Sequence, residues 1–293
     1  MVKKQLKFNE EFHRYTDEDN NIYTSVTTLI KNYEIPFDEN YWAKYKADKL
    51  GISVEAIKAN WNDIRTESGK AGTKEHLLLE NSINASLTQP IHYNKTNPYK
   101  ELFDNLNIKI TSTNLEVLKN TALATKYSDI YLYLEKYILD GWSLYSEKRV
   151  YWHEYLIAGT IDCLLIKGKE FIIVDWKTNK DILNFKSGYY KKVNGIKSNI
   201  WVDKKEYFKK PIHIIEFCKG NIYTLQLSLY AYILELWGYS CYDLQLYHIK
   251  RDDTPKRYKI NYLKSACQLL LIDSKNKRSL SKSSNSNNIF GIK

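Results

Sequence analysis

The feature that most constrains the fold is a pair of apolar runs separated by Lys-Gly-Lys within residues 158–177. Short apolar runs rich in β-branched residues and divided by a glycine-containing turn predict a β-hairpin. With Gly168 and Lys169 as a two-residue loop, glycine at the first loop position favours a type II′ turn. Lys167 then pairs with Glu170, and this pair fixes the register of both strands.

This register brings two acidic residues together. Counting outward from the turn, Asp162 falls opposite Asp175, and directly opposed residues have Cβ atoms roughly 4.5–5.5 Å apart. Alternation along the strand puts Lys177 on the same face as Asp175, with Trp176 on the other face. The neighbouring residues are nearly all apolar, so two opposed carboxylates would repel unless a proton or a cation lay between them.

Hard oxygen ligands in small number favour Mg²⁺ or Mn²⁺, with substrate phosphate and water completing the coordination shell. Lys177 would lie beside such a cation, where an amine can orient or deprotonate water and stabilise charge on a phosphate. The alternative is an ordinary surface hairpin with a Lys–Asp pair, because a longer loop would change the pairing.

The rest of the chain predicts a single domain over residues 1–273. Residues 1–140 have a mainly helical pattern, and residues 141–273 alternate between strand-like and helix-like segments, which is typical of an α/β core. Residues 274–293 are rich in Ser, Asn and Lys, a composition that predicts a disordered polar tail.

Within the N-terminal part, residues 5–30 contain short β-like pieces around a turn at residues 17–21. Residues 40–86 are expected to be helical, with breaks at Gly51 and Gly69. Residues 87–112 are polar with two prolines, which favours a loop with a short helix. Residues 115–140 have the periodicity of one further helix.

Composition restricts the compartment and the partners. The net charge of +10 favours an anionic partner, although the high content of Lys, Asn, Ile and Tyr also fits a compositional bias. No apolar run approaches the roughly 20 residues of a membrane span, and the first residues lack the apolar stretch of a signal peptide. We therefore expect a soluble cytoplasmic protein without a membrane partner.

Two further cofactor classes are not expected. The four cysteines are widely scattered without a CxxC pair, which disfavours a zinc site or a cysteine-ligated iron–sulfur cluster. The stretch SGKAGT lacks the spacing of a GxxxxGK[ST] phosphate-binding loop, so no ATP motor is expected.

Four short motifs, in order, resemble those of the PD-(D/E)xK nuclease superfamily, especially its RecB-like and its phage and mitochondrial-type exonuclease branch. The resemblance extends over roughly residues 20–250. It implies a restriction-endonuclease-like mixed central sheet flanked by helices, with an N-terminal helical extension. The motifs are GTKEH at 72–76, GTID at 159–162, DWK at 175–177 and QLSLY at 226–230.

The resemblance also implies roles for individual residues. It implies a Mg²⁺ or Mn²⁺ ion held by His76, Asp162, Asp175 and the backbone carbonyl of Trp176. Asp162, Asp175 and Lys177 would be the catalytic residues.

Four further residues are candidates with an alternative interpretation. Gln226 and Tyr230 would position the substrate strand, but a polar residue satisfied at a helix edge would produce the same pattern. Glu80 lies one helical turn after His76 and is either a partner of the metal ligands or a solvated residue. Glu147 precedes the hairpin and either points into the site or is exposed.

We therefore expect a metal-dependent deoxyribonuclease, specifically an exonuclease of DNA recombination, replication or repair, of the kind that phages encode. Its substrate would be DNA that is single-stranded or has free ends. A structure-specific or restriction-type endonuclease and a non-catalytic nucleic-acid-binding protein are the alternatives. Lysines interleaved with aromatic residues between Lys177 and Gln226 suit either a channel for a DNA strand or a solvated loop. The oligomeric state stays open.

Overall fold

The structure is a computed structural model that describes residues 6–9, 11–12, 14–88, 112–179, 183–193, 196–250 and 254–287. Nearly all of the loop and short helix expected over 87–112 lies outside these residues. In the described part of the chain, no helix is long and apolar enough to cross a membrane.

The described residues form ten strands and eight α-helices. The strands are β1 (Lys7–Asn9), β2 (Arg14–Thr16), β3 (Ile22–Ser25), β4 (Ser143–Trp152), β5 (Ile157–Lys167), β6 (Glu170–Lys177), β7 (Gly188–Val193), β8 (Ile196–Asp203), β9 (Ser240–His248) and β10 (Lys256–Lys259). The helices are α1 (Val26–Lys31), α2 (Glu39–Leu50), α3 (Val54–Ser86), α4 (Leu115–Lys119), α5 (Ala122–Lys126), α6 (Ser128–Leu139), α7 (Lys219–Leu236) and α8 (Lys264–Asn287).

Eight of the strands form one mixed sheet in the order β1-β2-β3-β5-β6-β9-β10, and β4 pairs with the other edge of β5. The hairpins β4–β5, β5–β6 and β9–β10 are antiparallel, whereas β3–β5 and β6–β9 are parallel. Helix α7 makes the connection from β6 to β9. β7 and β8 pair with each other as a separate two-stranded ribbon.

Helices cover both faces of the sheet. One buried cluster joins α1, α7 and α8 to the side chains of Leu164 and Ile173. A second cluster joins α3 and α6 to the opposite face, at Cys163 and Trp176. The expectation of a mixed α/β fold with a central sheet between helices is therefore confirmed.

The register of the central hairpin is confirmed along β5 and β6. Lys167 pairs with Glu170, and the ladder continues to Cys163 opposite Val174. Gly168 has φ +61° and Lys169 is not among the residues with positive φ, which is the pattern of a type II′ turn. The turn residues thus determine which side chains share a face at the far end of the hairpin.

At that far end, one edge of β5 has no neighbouring strand over four residues in the part of the chain that the structure describes. β3 pairs with Ile157 and Ala158 on this edge, and β6 pairs with the stretch from Cys163 to Lys167. Residues 159–162 lie between the two partners, while β4 continues along the opposite edge. The sheet therefore forks around residues 159–162, directly beside the ends of β3 and β6.

Two expectations about the N-terminal half were wrong. Gly51 ends α2 in the left-handed conformation with φ +66°, as expected, but α3 runs through Gly69 without a break. An exposed glycine costs a helix only about 1 kcal/mol, and the turns on both sides outweigh that cost. Residues 115–140 form three short helices instead of one, and Asn120 ends the first by donating its side-chain amide to the carbonyl of Glu116.

The short β-like pieces expected over residues 5–30 are confirmed as β1–β3. These strands join the central sheet, and β3 pairs with β5 directly. The N-terminal part is therefore built into the core.

The predicted polar tail was also wrong for residues 274–287. These residues continue α8 as far as Asn287, and residues 288–293 lie outside the description. Leu270 and Leu271 of the same helix are buried in the core, and Tyr33 donates a hydrogen bond to Asp273 at 2.7 Å. Because the first turns of α8 are fixed by packing, the polar residues that follow can propagate the helix.

Candidate functional site

Asp162 lies at the fork, one residue beyond the last β5–β6 pair. Its Oδ2 accepts a hydrogen bond from the backbone N–H of Trp176 at 3.0 Å, so a side chain replaces the ladder bond where the strands separate. Trp176 points its ring into the core and is 1% exposed, leaving only its backbone near the acids. Asp175 is the next residue of β6 toward the turn, on the same face as Asp162.

Glu147 of β4 lies on the other side of Asp162. The β4–β5 ladder pairs Ser146 with Cys163 and Lys148 with Ile161, so Glu147 is directly opposite Asp162. Its φ of +48° is unfavourable for a residue with a side chain, and such conformations concentrate at functional sites. Burial, and then the nearby Asp162, raise the pKa of Glu147 to about 8.

Helix α3 brings His76 to the same point. His76 Nδ1 is 3.7 Å from Asp162 Oδ2. His76, Glu147 and Asp162 each offer one ligand atom, and these atoms all lie within 4.8 Å of one another. Glu80, one turn further along α3, is close enough to contribute to the raised pKa of Glu147.

The glycine of the GTKEH motif permits this approach of α3. A Cβ on Gly72 would lie 2.9 Å from Thr178 Oγ1, just beyond the end of β6. Gly72 is one helical turn before His76. Because it has no side chain, α3 can pack closely against the end of the strand that carries Asp175.

Asp175 and Lys177 form an ion pair beside this cluster. Lys177 Nζ is 2.6 Å from Asp175 Oδ2, and the Asp175 side chain is 1% exposed. Neither carboxylate oxygen has a hydrogen-bond partner of good geometry among the described residues. Burial raises the pKa of Asp175 to about 7, although Lys177 opposes the shift.

Lys177 remains a cation in this arrangement. Burial acts to lower its pKa, but Asp175 and Asp162 outweigh burial and raise it. Its ammonium group also lies 5.1 Å from the centroid of the Tyr223 ring, within range of a cation–π contact. Lys177 therefore keeps its proton in this state. A protonated amine can donate hydrogen bonds that orient water or stabilise negative charge, but it cannot remove a proton from water.

Tyr223 was missed at the level of sequence. It lies three residues before Gln226 and seven before Tyr230, on one face of α7. That spacing is visible in the sequence, but Tyr223 lies outside the QLSLY motif. Its hydroxyl donates to Asn179 Oδ1 at 3.4 Å, which connects α7 to the residues that follow Lys177.

Gln226 and Tyr230 are buried and bonded to each other. Gln226 Nε2 donates to Tyr230 Oη at 3.1 Å, and the two residues are 8% and 4% exposed. The side-chain amide of Gln226 is thus bonded within its own helix. Burial raises the pKa of the Tyr230 hydroxyl, and the negative charges of Asp175 and Asp162 add to this effect.

Tyr230 fixes the strand that carries Asp162. Its ring lies against Gly159, where a Cβ would be 2.4 Å from Tyr230 Cε1. The glycine of the GTID motif thus provides space for an aromatic ring, and it does so within the forked part of β5.

Replacing Gly159 with alanine is expected to destabilise the protein by about 1–3 kcal/mol, as overpacking does, because the Tyr230 ring must move. A double-mutant cycle in urea measures the cause. The same replacement in a Tyr230→Leu background should cost much less, since the contacting ring is gone. An equal cost in both backgrounds would show that the ring is not responsible.

Comparisons with known proteins leave the family open. No family model matches the chain, and no curated protein matches it. A solved structure titled "Crystal structure of SSO0001" is similar to this chain, with 15% sequence identity over 69% of this chain and 85% of that chain and a TM-score of 0.25. A likeness at that level carries no argument about the fold or the activity.

Proposed function

We propose that this protein is a metal-dependent deoxyribonuclease on a restriction-endonuclease-like core, and that it acts as an exonuclease in DNA recombination, replication or repair. One observation carries the proposal: three ligand atoms, from His76, Glu147 and Asp162, lie within 4.8 Å of one another. Beside them is a buried carboxylate–ammonium pair, Asp175 and Lys177.

The donor set fits a hard divalent cation. Carboxylate oxygens with one imidazole suit Mg²⁺ or Mn²⁺, and Mn²⁺ tolerates the nitrogen ligand better. Two carboxyl groups with raised pKa values, Glu147 and Asp175, are acids that a cation would convert to their charged form. We propose that the metal ligands are His76, Asp162, Asp175 and the Trp176 carbonyl. Glu147 is a further ligand in this proposal, and Glu80 lies close to Glu147 without binding the metal.

A bound Mg²⁺ or Mn²⁺ would supply Lewis-acid polarisation of a phosphate oxygen and a lowered pKa for a water molecule. The chain supplies the rest of the chemistry. Lys177, held as a cation by Asp175, donates hydrogen bonds that orient the attacking water and stabilise negative charge on the phosphate. Tyr223 limits where the Lys177 ammonium can move, because its ring lies beside that ammonium.

Gln226 and Tyr230 act indirectly in this proposal. Both are buried, and their hydrogen bond to each other leaves Tyr230 packed on Gly159. They position Asp162 through β5, and a direct contact with the substrate strand would require their hydrogen bond to open.

DNA is the proposed substrate because the cluster is suited to a phosphodiester and the chain has a net charge of +10. Lys and Arg that neutralise phosphates release counterions and so favour binding. Exonuclease action is the more specific part of the proposal, and it rests on the motif resemblance.

The decisive experiment uses one single-stranded DNA sequence in two forms, closed circular and linear, incubated with the protein and Mn²⁺. We expect nucleotides to be released from the linear form only, and EDTA to prevent the release. Cleavage of the circle would identify an endonuclease instead. Retention of both forms without cleavage would identify a nucleic-acid-binding protein and contradict the proposal.

A further inference from the structure

The β7–β8 ribbon stands apart from the core sheet. Its two strands pair with each other from Gly188–Asp203 to Val193–Ile196, and neither pairs with another described strand. A two-stranded ribbon has marginal stability alone in water. It nevertheless exposes apolar side chains, including Tyr189 at 49% and Ile200 at 57%.

The base of the ribbon is held firmly. The backbone N–H of Ser187 donates to Glu216 Oε2 at 2.7 Å, and the N–H of Lys204 donates to the Ser187 carbonyl at 3.0 Å. The N–H of Phe217 donates to the carbonyl of Glu206 at 2.8 Å. Both ends of the ribbon are thus joined to the segment that enters α7.

That anchor is adjacent to the candidate active site. The N–H of Gly220, in the first turn of α7, donates to the Asn184 carbonyl at 2.9 Å. A Cβ on Gly220 would be 2.5 Å from that carbonyl oxygen, so the segment lies directly on the helix. Tyr223, three residues further along α7, packs its ring beside the Lys177 ammonium.

The ribbon and its flanks are strongly basic. Residues 183–210 contain eight lysines and two acidic residues, a net charge of +6 out of +10 for the whole chain. Lys191 and Lys192 of β7 are both exposed. On the ribbon, Tyr190 and Trp201 form a ring pair with centroids 5.1 Å apart, so aromatic surface and cations occur together.

We propose that the β7–β8 ribbon binds a single strand of DNA and delivers it to the acids beside Lys177. This inference rests on the proposed nuclease function and identifies the surface that grips its substrate. Exposed lysines neutralise the phosphates, and an exposed ring offers unpaired bases a stacking surface, which is how proteins bind single strands without sequence preference.

The test measures binding of a fluorescent single-stranded oligonucleotide in EDTA over a series of salt concentrations. The double variant Lys191→Gln, Lys192→Gln should weaken binding about tenfold, and the slope of log K against log salt should fall by about 1.4, two phosphate contacts at about 0.7 each. Tyr189→Ala should weaken single-strand binding about fivefold or more and leave duplex binding nearly unchanged.

The matched control is Lys167→Gln, Lys169→Gln, which removes the same charge at the exposed β5–β6 turn. Each of these lysines is five or more residues along its strand from Asp162 or Asp175, roughly 17 Å or more at about 3.3 Å per residue. Equal losses of affinity and slope in the two double variants would overturn the ribbon proposal, since only the overall charge would matter.

Failure of this inference is distinguishable from failure of the nuclease proposal. A wild-type protein that cleaves DNA but shows no special effect of the ribbon variants contradicts the ribbon alone. Ribbon-dependent binding without any Mn²⁺-dependent cleavage contradicts the nuclease function and leaves the binding surface in place.

Discussion

Replacing Asp175 with asparagine is expected to lower Mn²⁺-dependent cleavage of linear single-stranded DNA by about a thousandfold or more. Asparagine keeps the shape of the side chain but removes the negative charge that a cation requires. Asp175 is 1% exposed and 2.6 Å from Lys177. Solvent therefore cannot readily enter and take the place of the lost carboxylate as a ligand. The rate of nucleotide release under single-turnover conditions measures the effect.

The variant should remain folded. Asp162 also acts on the Lys177 ammonium, so the cation does not lose all of its compensating charge. Circular dichroism and a thermal melt check the fold. Asp48→Asn, an exposed position on α2, is the matched control and should cleave at the wild-type rate. Undiminished cleavage by Asp175→Asn would contradict the proposed site.

The second large effect concerns pH and metal. In EDTA the protein should lose thermal stability as the pH rises from about 5 to about 8. Glu147 has a folded pKa of about 8 and Asp175 of about 7, both above their ordinary values. Over this range the folded protein holds protons that the unfolded chain has released, so the free energy of unfolding falls as pH rises, by an amount on the order of a few kcal/mol.

Mn²⁺ should reverse this loss because a cation favours the charged carboxylates. At pH 8 a saturating concentration should raise the melting temperature by about 5 °C or more, since a ligand at a hundred times its Kd contributes about 2.7 kcal/mol. The effect should be much smaller at pH 5, where protons compete for the same oxygens.

The Glu147→Gln variant separates this site from the other titrating groups. It should flatten the decline of stability with pH in EDTA and reduce the stabilisation by Mn²⁺, because the amide cannot become charged. Glu170→Gln, at an exposed position of β6, should behave like the wild type. A wild-type pH dependence in the Glu147 variant would show that another group is responsible.

The central hairpin could be predicted from the sequence because its determinants are local. A two-residue loop with glycine at its first position specifies the register, and the register specifies which residues share a face. Asp162 and Asp175 are therefore related by counting alone. The loop does not determine where the pairing ends. The last pair is Cys163 with Val174, one residue before Asp162 and Asp175.

The remaining features depend on contacts between distant parts of the chain. Glu147 enters the ligand cluster because β4 pairs with β5 and the backbone at Glu147 adopts a positive φ, and neither is encoded in its neighbours. A glycine is needed at position 159 because the ring of Tyr230, 71 residues later in the chain, lies against it. The short strands β1–β3 could be predicted locally, but the parallel pairing of Thr24 in β3 with Ile157 in β5 could not.

The 33 residues of α3 without a break make a rod about 50 Å long. Its second half rests on the core through Leu79 and Ile83, whereas Ile57 near its beginning is buried only in a small cluster with α2. His76 lies on the supported half, close to where that support begins. A tilt of the first half of α3 would therefore also move His76. The 3.7 Å distance between His76 Nδ1 and Asp162 Oδ2 would change with that tilt.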